Sequence, residues 1–171
     1  MTELQLLIDK YKATTENDEK AEIISANFDF LTDNAKWNFL LSLIEKIETY
    51  DLVKVNVYRI IEIANFTELD IANIKNRILL ALKVETDEMV KQYGFMSLTW
   101  NFSNFSDVID LCMETVENEN EDENVRHCAF EVLTKSKDYQ KINSLRNRLL
   151  QIKGFIEYAT IFFNDQEKGS H

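Results

Sequence analysis

The sequence predicts an all-α fold of about ten helices in five antiparallel hairpins, and three observations predict it. Helix breakers are nearly absent: the 171 residues include no proline and only three glycines, Gly94, Gly154 and Gly169. That scarcity favours long helices joined by short polar turns. Apolar residues recur at intervals of three and four along most of the chain, the spacing of one buried helix face. One pattern also occurs three times. Asp122-Glu123-Asn124-Val125-Arg126-His127-Cys128-Ala129-Phe130-Glu131-Val132-Leu133 has a near copy in Asp87-Glu88-Met89-Val90-Lys91-Gln92-Tyr93-Gly94-Phe95-Met96-Ser97-Leu98 and a looser one in Val53-Lys54-Val55-Asn56-Val57-Tyr58-Arg59-Ile60-Ile61. The Val positions lie about 37 and 35 residues apart, and self-similarity at such a period marks stacked helical units.

The elements follow in order. A first helix starts at Thr2, with Gln5 placed for a capping box and Leu4, Leu7, Ile8 and Tyr11 at helical spacing. Residues 14–17 are polar and read as a turn. A second helix covers about 18–28, with Ala21, Ile24, Ser25 and Phe28 on one side. Thr32-Asp33-Asn34 is a cap cluster. It opens a third helix running to about Thr49, with Trp37, Leu40, Leu41, Ile44 and Ile47 inward. Asp51 caps the fourth helix, the first copy of the repeat. Thr67 or Asp70 opens the fifth, with Ile71, Ile74, Ile78, Leu79 and Leu82 inward, and Thr86 or Asp87 caps the sixth, the second copy. Residues 101–106 form a turn carrying Phe102 and Phe105. The seventh helix covers about 106–117, burying Val108, Ile109, Cys112 and Val116, and the eighth is the third copy. A ninth helix spans 139–151, and a tenth runs from near Gly154 to about Asp165 before fraying. In each hairpin the second helix carries the repeat, and no hairpin buries its apolar face alone.

Residues 1–168 thus read as one α-helical repeat domain, a length suited to a single core. Gly169-Ser170-His171 reads as an expression-tag remnant. Nineteen basic against thirty acidic residues give a net charge of −11, which repels nucleic acid and anionic membranes and attracts a basic protein. Cys112 and Cys128 lie inside helical patterns and do not form a disulfide framework. With no signal peptide and no apolar run of membrane-spanning length, the expected location is cytoplasmic.

The repeated segments resemble the second helix of HEAT repeats, which opens with Asp, carries Val-Arg in its first turn, a small residue four after the Val and Leu near its end. Asp122, Val125, Arg126, Ala129 and Leu133 fit; Asp87, Val90, Lys91, Gly94 and Leu98 fit nearly as well; Asp51, Val53, Lys54, Val57 and Ile61 fit loosely. The family's usual proline in the first helix is absent. The resemblance covers roughly residues 33–136 and implies a short right-handed α-solenoid that binds other macromolecules.

No catalytic, cofactor-binding or metal site is expected. His127 and Cys128 are adjacent on a helix and point in different directions, so they make no dyad. Zinc would need further ligands that do not appear. Asn118, Asn120 and Asp122 imitate the start of a calcium loop, which fails at its sixth position, Glu123, and its twelfth, Ala129. Three scattered glycines exclude a phosphate-cradling loop. Lys54, Lys91 and Arg126 recur at one repeat position, and each is expected to bond a neighbouring repeat rather than form a phosphate ladder.

The partner surface is read from the same alignment. With Val125 and Ala129 inward, His127, Glu131 and Lys135 should face out, and so should Gln92, Met96 and Trp100 in the second copy and Val55, Arg59 and Ile63 in the first. A ridge bearing Met96, Trp100 and Arg59 has the composition of an interface, with Glu62, Glu88, Glu123 and Glu131 nearby. The acidic segment with Glu117, Glu119, Glu121 and Glu123 adjoins it. Arg59, Glu88, Gln92, Met96, Trp100, Glu117, Glu119, Glu121, Glu123, His127 and Glu131 are therefore the candidate partner-binding residues. A small acidic helical chain of this kind is similar to immunity proteins of bacterial toxin–immunity pairs, including contact-dependent growth inhibition systems. That resemblance implies a 1:1 complex of a monomer with a basic toxin nuclease, whose cleft the acidic surface covers, and no nucleic-acid or membrane ligand. The alternative is an adaptor joining cellular proteins; an enzyme on the same frame ranks third.

Overall fold

In the computed structural model, which describes residues 1–169, the chain forms α1 (Glu3–Ala13), α2 (Asn17–Asn27), α3 (Lys36–Ile44), α4 (Asp51–Ile63), α5 (Ile71–Val84), α6 (Glu88–Met96), α7 (Ser106–Glu117), α8 (Glu123–Lys135), α9 (Tyr139–Leu149) and α10 (Ile156–Gly169). No strand occurs among the described residues. The fold is all-α. Gly169 is the last residue of α10; Ser170 and His171, read as part of a tag, lie outside the described residues.

Helix starts are set by short polar side chains that satisfy the free N–H groups of the first turn. Thr2 Oγ1 accepts from the Gln5 N–H at 3.2 Å. Asp70 accepts from Asn73, Asp87 from Val90 and Asp138 from Lys141, at 2.9–3.1 Å. Asp122 accepts from both Asn124 and Val125. These bonds choose Asp70 over Thr67 and Asp87 over Thr86. Two expected caps take another form. The Gln5 amide donates to Asp9 instead of closing a box on Thr2, and Asp51 makes no side-chain cap at the start of α4.

The third helix differs most from its expected course. It begins at Lys36 without a side-chain cap, after Asp33 has accepted from the Ala35 N–H. It ends at Ile44 rather than Thr49, and Ile47 is 78% exposed instead of inward. Beyond Ile44 the sequence is polar, and the Thr49 N–H turns back to the Lys46 carbonyl. In α2, Ser25 is exposed and Ile23 is buried. The Ser25 hydroxyl donates to the Glu22 carbonyl and needs no interior partner. Helix α9 stops at Leu149, and α10 continues past Asp165, where fraying was expected.

Packing contacts join α2 to α4, α4 to α6 and α6 to α8, so the even-numbered helices form a row. Beside it, α3 packs on α4 and α5, α5 on α6, and α7 on α8; α1 pairs with α2 and α9 with α10. The small residue of the repeat permits the close approach of α6. A β-carbon at Gly94 would lie 2.4 Å from the Leu82 side chain and 3.3 Å from the Tyr58 ring. Trp37, Phe66 and Phe102 form a chain of rings with centroids 4.8 and 5.5 Å apart, running through successive hairpins. At the C-terminal end α10 is held by rings, with Phe155 against His127 and Phe130.

At the recurring basic position Lys54 and Lys91 reach into the next unit, as expected, whereas Arg126 hydrogen-bonds α7 of its own hairpin. Lys54 Nζ reaches Glu85 at 2.8 Å, and Lys91 Nζ reaches Glu121 at 2.8 Å. Arg126 donates through Nε and Nη2 to the Val116 carbonyl at 3.0 and 2.8 Å and lies over the Phe155 ring. A second set joins the odd-numbered helices: Arg77 to Glu45, Lys75 to Asp107, Lys141 to Asp110 and Arg148 to Glu117.

Candidate protein-binding surface

The even-numbered helices bury their repeat faces inward and differ in what remains outside. Val53, Val90 and Val125 are fully buried, as are Val57, Ala129 and the Gly94 backbone. The residues two, six and ten positions on follow a gradient along the helices. In the first turns the ridge is closed. Val55 is buried, contrary to the expected outward position, because α4 packs on α2, α3 and α6. Gln92 is half-buried. His127 is half-buried beneath Phe155 and Tyr158, at 4.7 and 5.0 Å between ring centroids. In the last turns the ridge opens. Arg59, Glu131 and Lys135 are exposed, Met96 is half-buried, and Ile63 and Trp100 are 69% and 65% exposed.

The structure therefore divides the candidate residues into two places. Arg59, Met96, Trp100 and Glu131 lie at the C-terminal ends of α4, α6 and α8. Glu88, Glu117, Glu119, Glu121, Glu123 and His127 lie around the N-terminal ends of α6 and α8, with Gln92 one turn into α6. Within the acidic segment, two carboxylates are already engaged. Glu117 accepts from Arg148 Nε and Nη2 at 2.9 and 2.6 Å, and Glu121 holds Lys91. Among the described residues Glu123 is paired with His127 alone, at 3.9 Å. Glu119 is exposed, and no ion pair of its own is found among the described residues.

At the open end, Glu62 was a minor member of the sequence-derived patch and proves central. Burial pushes its carboxyl up from the usual range, and repulsion from the Glu131 carboxylate adds to this, while Arg59 partly offsets both. The two acids come from α4 and α8, which pack on opposite partners of the row with α6 between them. Neither makes an ion pair among the described residues. Lys135 lies over the Trp100 ring, 5.5 Å from its centroid. Trp100 also borders a groove of about 510 Å³ with Lys137, Tyr139 and Phe162. The repeat spacing locates Met96 and Trp100 in sequence; the effect of Glu131 on Glu62 has no signal in spacing, because the two residues belong to different helices, α8 and α4.

The thiols offer no nucleophile. Complete burial pushes Cys112 far up, and burial, Glu131 and Asp122 raise Cys128, so both stay protonated near neutrality. Among the described residues no group of three His, Cys, Asp or Glu side chains is placed to hold a metal ion, and no helix is long and apolar enough to cross a membrane. Compared with known protein families, curated proteins and solved structures, the chain matches none.

Proposed function

We propose that the chain is a non-enzymatic, HEAT-like α-solenoid that binds a basic protein. Within that class we assign it the role of an immunity-type inhibitor, covering the cleft of a basic toxin nuclease. The observation that carries this reading is an imbalance between charge and pairing. Each internal ion pair uses one cation and one carboxylate, so the excess of thirty acids over nineteen bases is left to the solvent. Beside it stand exposed apolar side chains, Ile63 and Trp100, at the end of a regular row of helices. Surplus charge speeds the encounter with a cationic protein, and a buried aromatic anchor slows its release.

Co-expression with a basic toxin nuclease, sought among the proteins encoded next to this chain, tests the reading. The expected outcome is relief of toxicity and a 1:1 complex whose affinity falls as salt rises. Binding to several unrelated proteins without any inhibition would replace the inhibitor with an adaptor. Reversing Glu119 and Glu123 to Lys measures what the acidic segment contributes, since neither is tied to Lys91 or Arg148. A severalfold loss of affinity at low salt is expected, and an unchanged salt dependence would remove the segment from the interface.

A further inference from the structure

The groove beside Trp100 has three walls: the turn after α6, the end of α8 with the turn into α9, and the later part of α10. The Lys137 N–H donates to Asn104 Oδ1 at 2.6 Å and ties the first two walls together. The rim is aromatic, with Trp100 and Tyr139 exposed and Phe162 half-buried. Its volume of about 510 Å³ falls within the range of small-molecule sites, about 300–1,000 Å³.

The lining carries hydrogen-bonding capacity that the fold does not use. Ser103 is 2% exposed, yet its hydroxyl makes no hydrogen bond among the described residues. Among them no fully buried side-chain polar atom lacks a partner. The sliver of Ser103 that stays accessible is therefore its hydroxyl, opening on the groove it lines. Ser136 is as deeply placed and accepts from the Asp138 N–H at 3.2 Å, while its own proton has no acceptor among the described residues. Polar groups this close to burial are ordinarily satisfied, and one left open costs free energy until something fills it.

The local charge is reversed as well. In a chain at −11, the described lining holds two ammoniums, Lys135 and Lys137, against one carboxylate, Asp165. Lys135 sits in the last turn of α8, where a cation offsets the negative end of the helix. Lys137 stands beyond the helix, and its ammonium has no ion pair or hydrogen bond among the described residues. Asp165, on the α10 wall, has Lys168 at 3.9 Å.

We propose that this groove binds a small organic anion, an acid group carried on a flat apolar ring. The acid oxygens accept from Ser103, Ser136 and Lys137, and the ring lies against Trp100, Tyr139 and Phe162. The chemistry of the lining selects this occupant: a cationic ligand meets an unneutralised ammonium, and a plain hydrocarbon leaves the hydroxyls without a partner. This site does not rest on the protein-binding reading above, which stands or falls by its own test.

Benzoate and phenyl phosphate are the probes, with benzylammonium, the same ring bearing the opposite charge, as control. Trp100 reports binding by fluorescence, because Trp37, the second tryptophan, is buried. The expected result is a saturable change in emission with at least one of the two anions, at a Kd of about 1 mM or below, and none with benzylammonium. The tighter of the two anions identifies the acid group. Trp100→Phe keeps a ring and should lose the signal. Ser103→Ala should weaken binding about tenfold without lowering Tm, since the hydroxyl holds nothing inside the fold; Lys137→Met should weaken it by a similar factor. No saturation with either anion overturns the inference, as does equal binding of benzylammonium or a signal that survives Trp100→Phe. Unchanged affinity in Ser103→Ala and Lys137→Met overturns it too, and a lowered Tm in Ser103→Ala with unchanged affinity makes that hydroxyl structural and has the same consequence.

Discussion

The two ends of the even-numbered row use the same residue types to opposite effect. At the N-terminal ends of α4 and α6, each cation meets a carboxylate of the next unit, and the Lys54–Glu85 pair is sealed to 3% and 9% exposure. At the C-terminal ends, Glu62 feels the like charge of Glu131, Lys135 rests on an aromatic ring, and Ile63 and Trp100 lie open. A buried pair is costly to break because the remaining charge is stranded; an open like-charge pair costs little to remove. One end holds the structure together; the other holds few such links. Counting charges without their partners would have treated them alike.

The largest expected effect breaks the sealed end. Glu85→Ala strands the Lys54 ammonium and should cost about 3–5 kcal/mol, read by urea denaturation. The same contact sets a pH dependence. Burial alone would raise Glu85, but donation from Lys54 and from the Thr86 and Asp87 N–H groups holds it below the usual carboxylate range. Its contribution is therefore complete above the unfolded pKa and is lost as pH falls through the lower folded value. Next comes the close approach of α6: Gly94→Val forces Leu82 and Tyr58 aside and should cost about 1–3 kcal/mol, with a matching fall in Tm. A smaller loss, about 1 kcal/mol, is expected for Gly154→Ala, since Gly154 has φ +88° in the turn before α10.

The smallest effect has the opposite sign and sharpens the contrast. Glu62 is raised in the folded chain, so folding is penalised above that raised value, and the penalty vanishes as pH falls below the unfolded one. Glu131→Gln relieves the repulsion and should leave stability unchanged or slightly increased at pH 7, within about 0.5 kcal/mol. A clear loss of stability in thermal melts of Glu131→Gln would mean that the open end is structural after all.

The sequence made legible what repeats. Val53, Val90 and Val125 mark the inward face of the even helices; Asp87 and Asp122 mark their starts; Lys54, Lys91 and Arg126 mark the stitching position. These depend on local spacing, which one helix can state by itself. What depended on neighbours was not legible. Val55 and His127 share a repeat position with Gln92, yet Val55 is covered by adjoining helices and His127 by α10. Lys36 carries no signal in the sequence. It is buried and donates to the carbonyls of Phe28, Asp29 and Leu31 at 2.8, 3.1 and 2.6 Å, closing the end of α2 from the following helix. Burial pushes its pKa down, with Asp29 opposing. No periodicity marks it, because the three acceptors are backbone atoms of a turn. The open end was half-legible: Met96 and Trp100 fell on the ridge, while the raised Glu62 depends on Glu131 on another helix.

The forward direction of the stitches makes the molecule extensible. Lys54 looks ahead to Glu85 and Lys91 to Glu121, so segment 85–120 contains one acid received from behind, Glu85, and one ammonium offered onward, Lys91. Duplicating that segment in tandem would leave no link without its counterpart. The pairing pattern thus allows the row to lengthen by whole segments without stranding a charge.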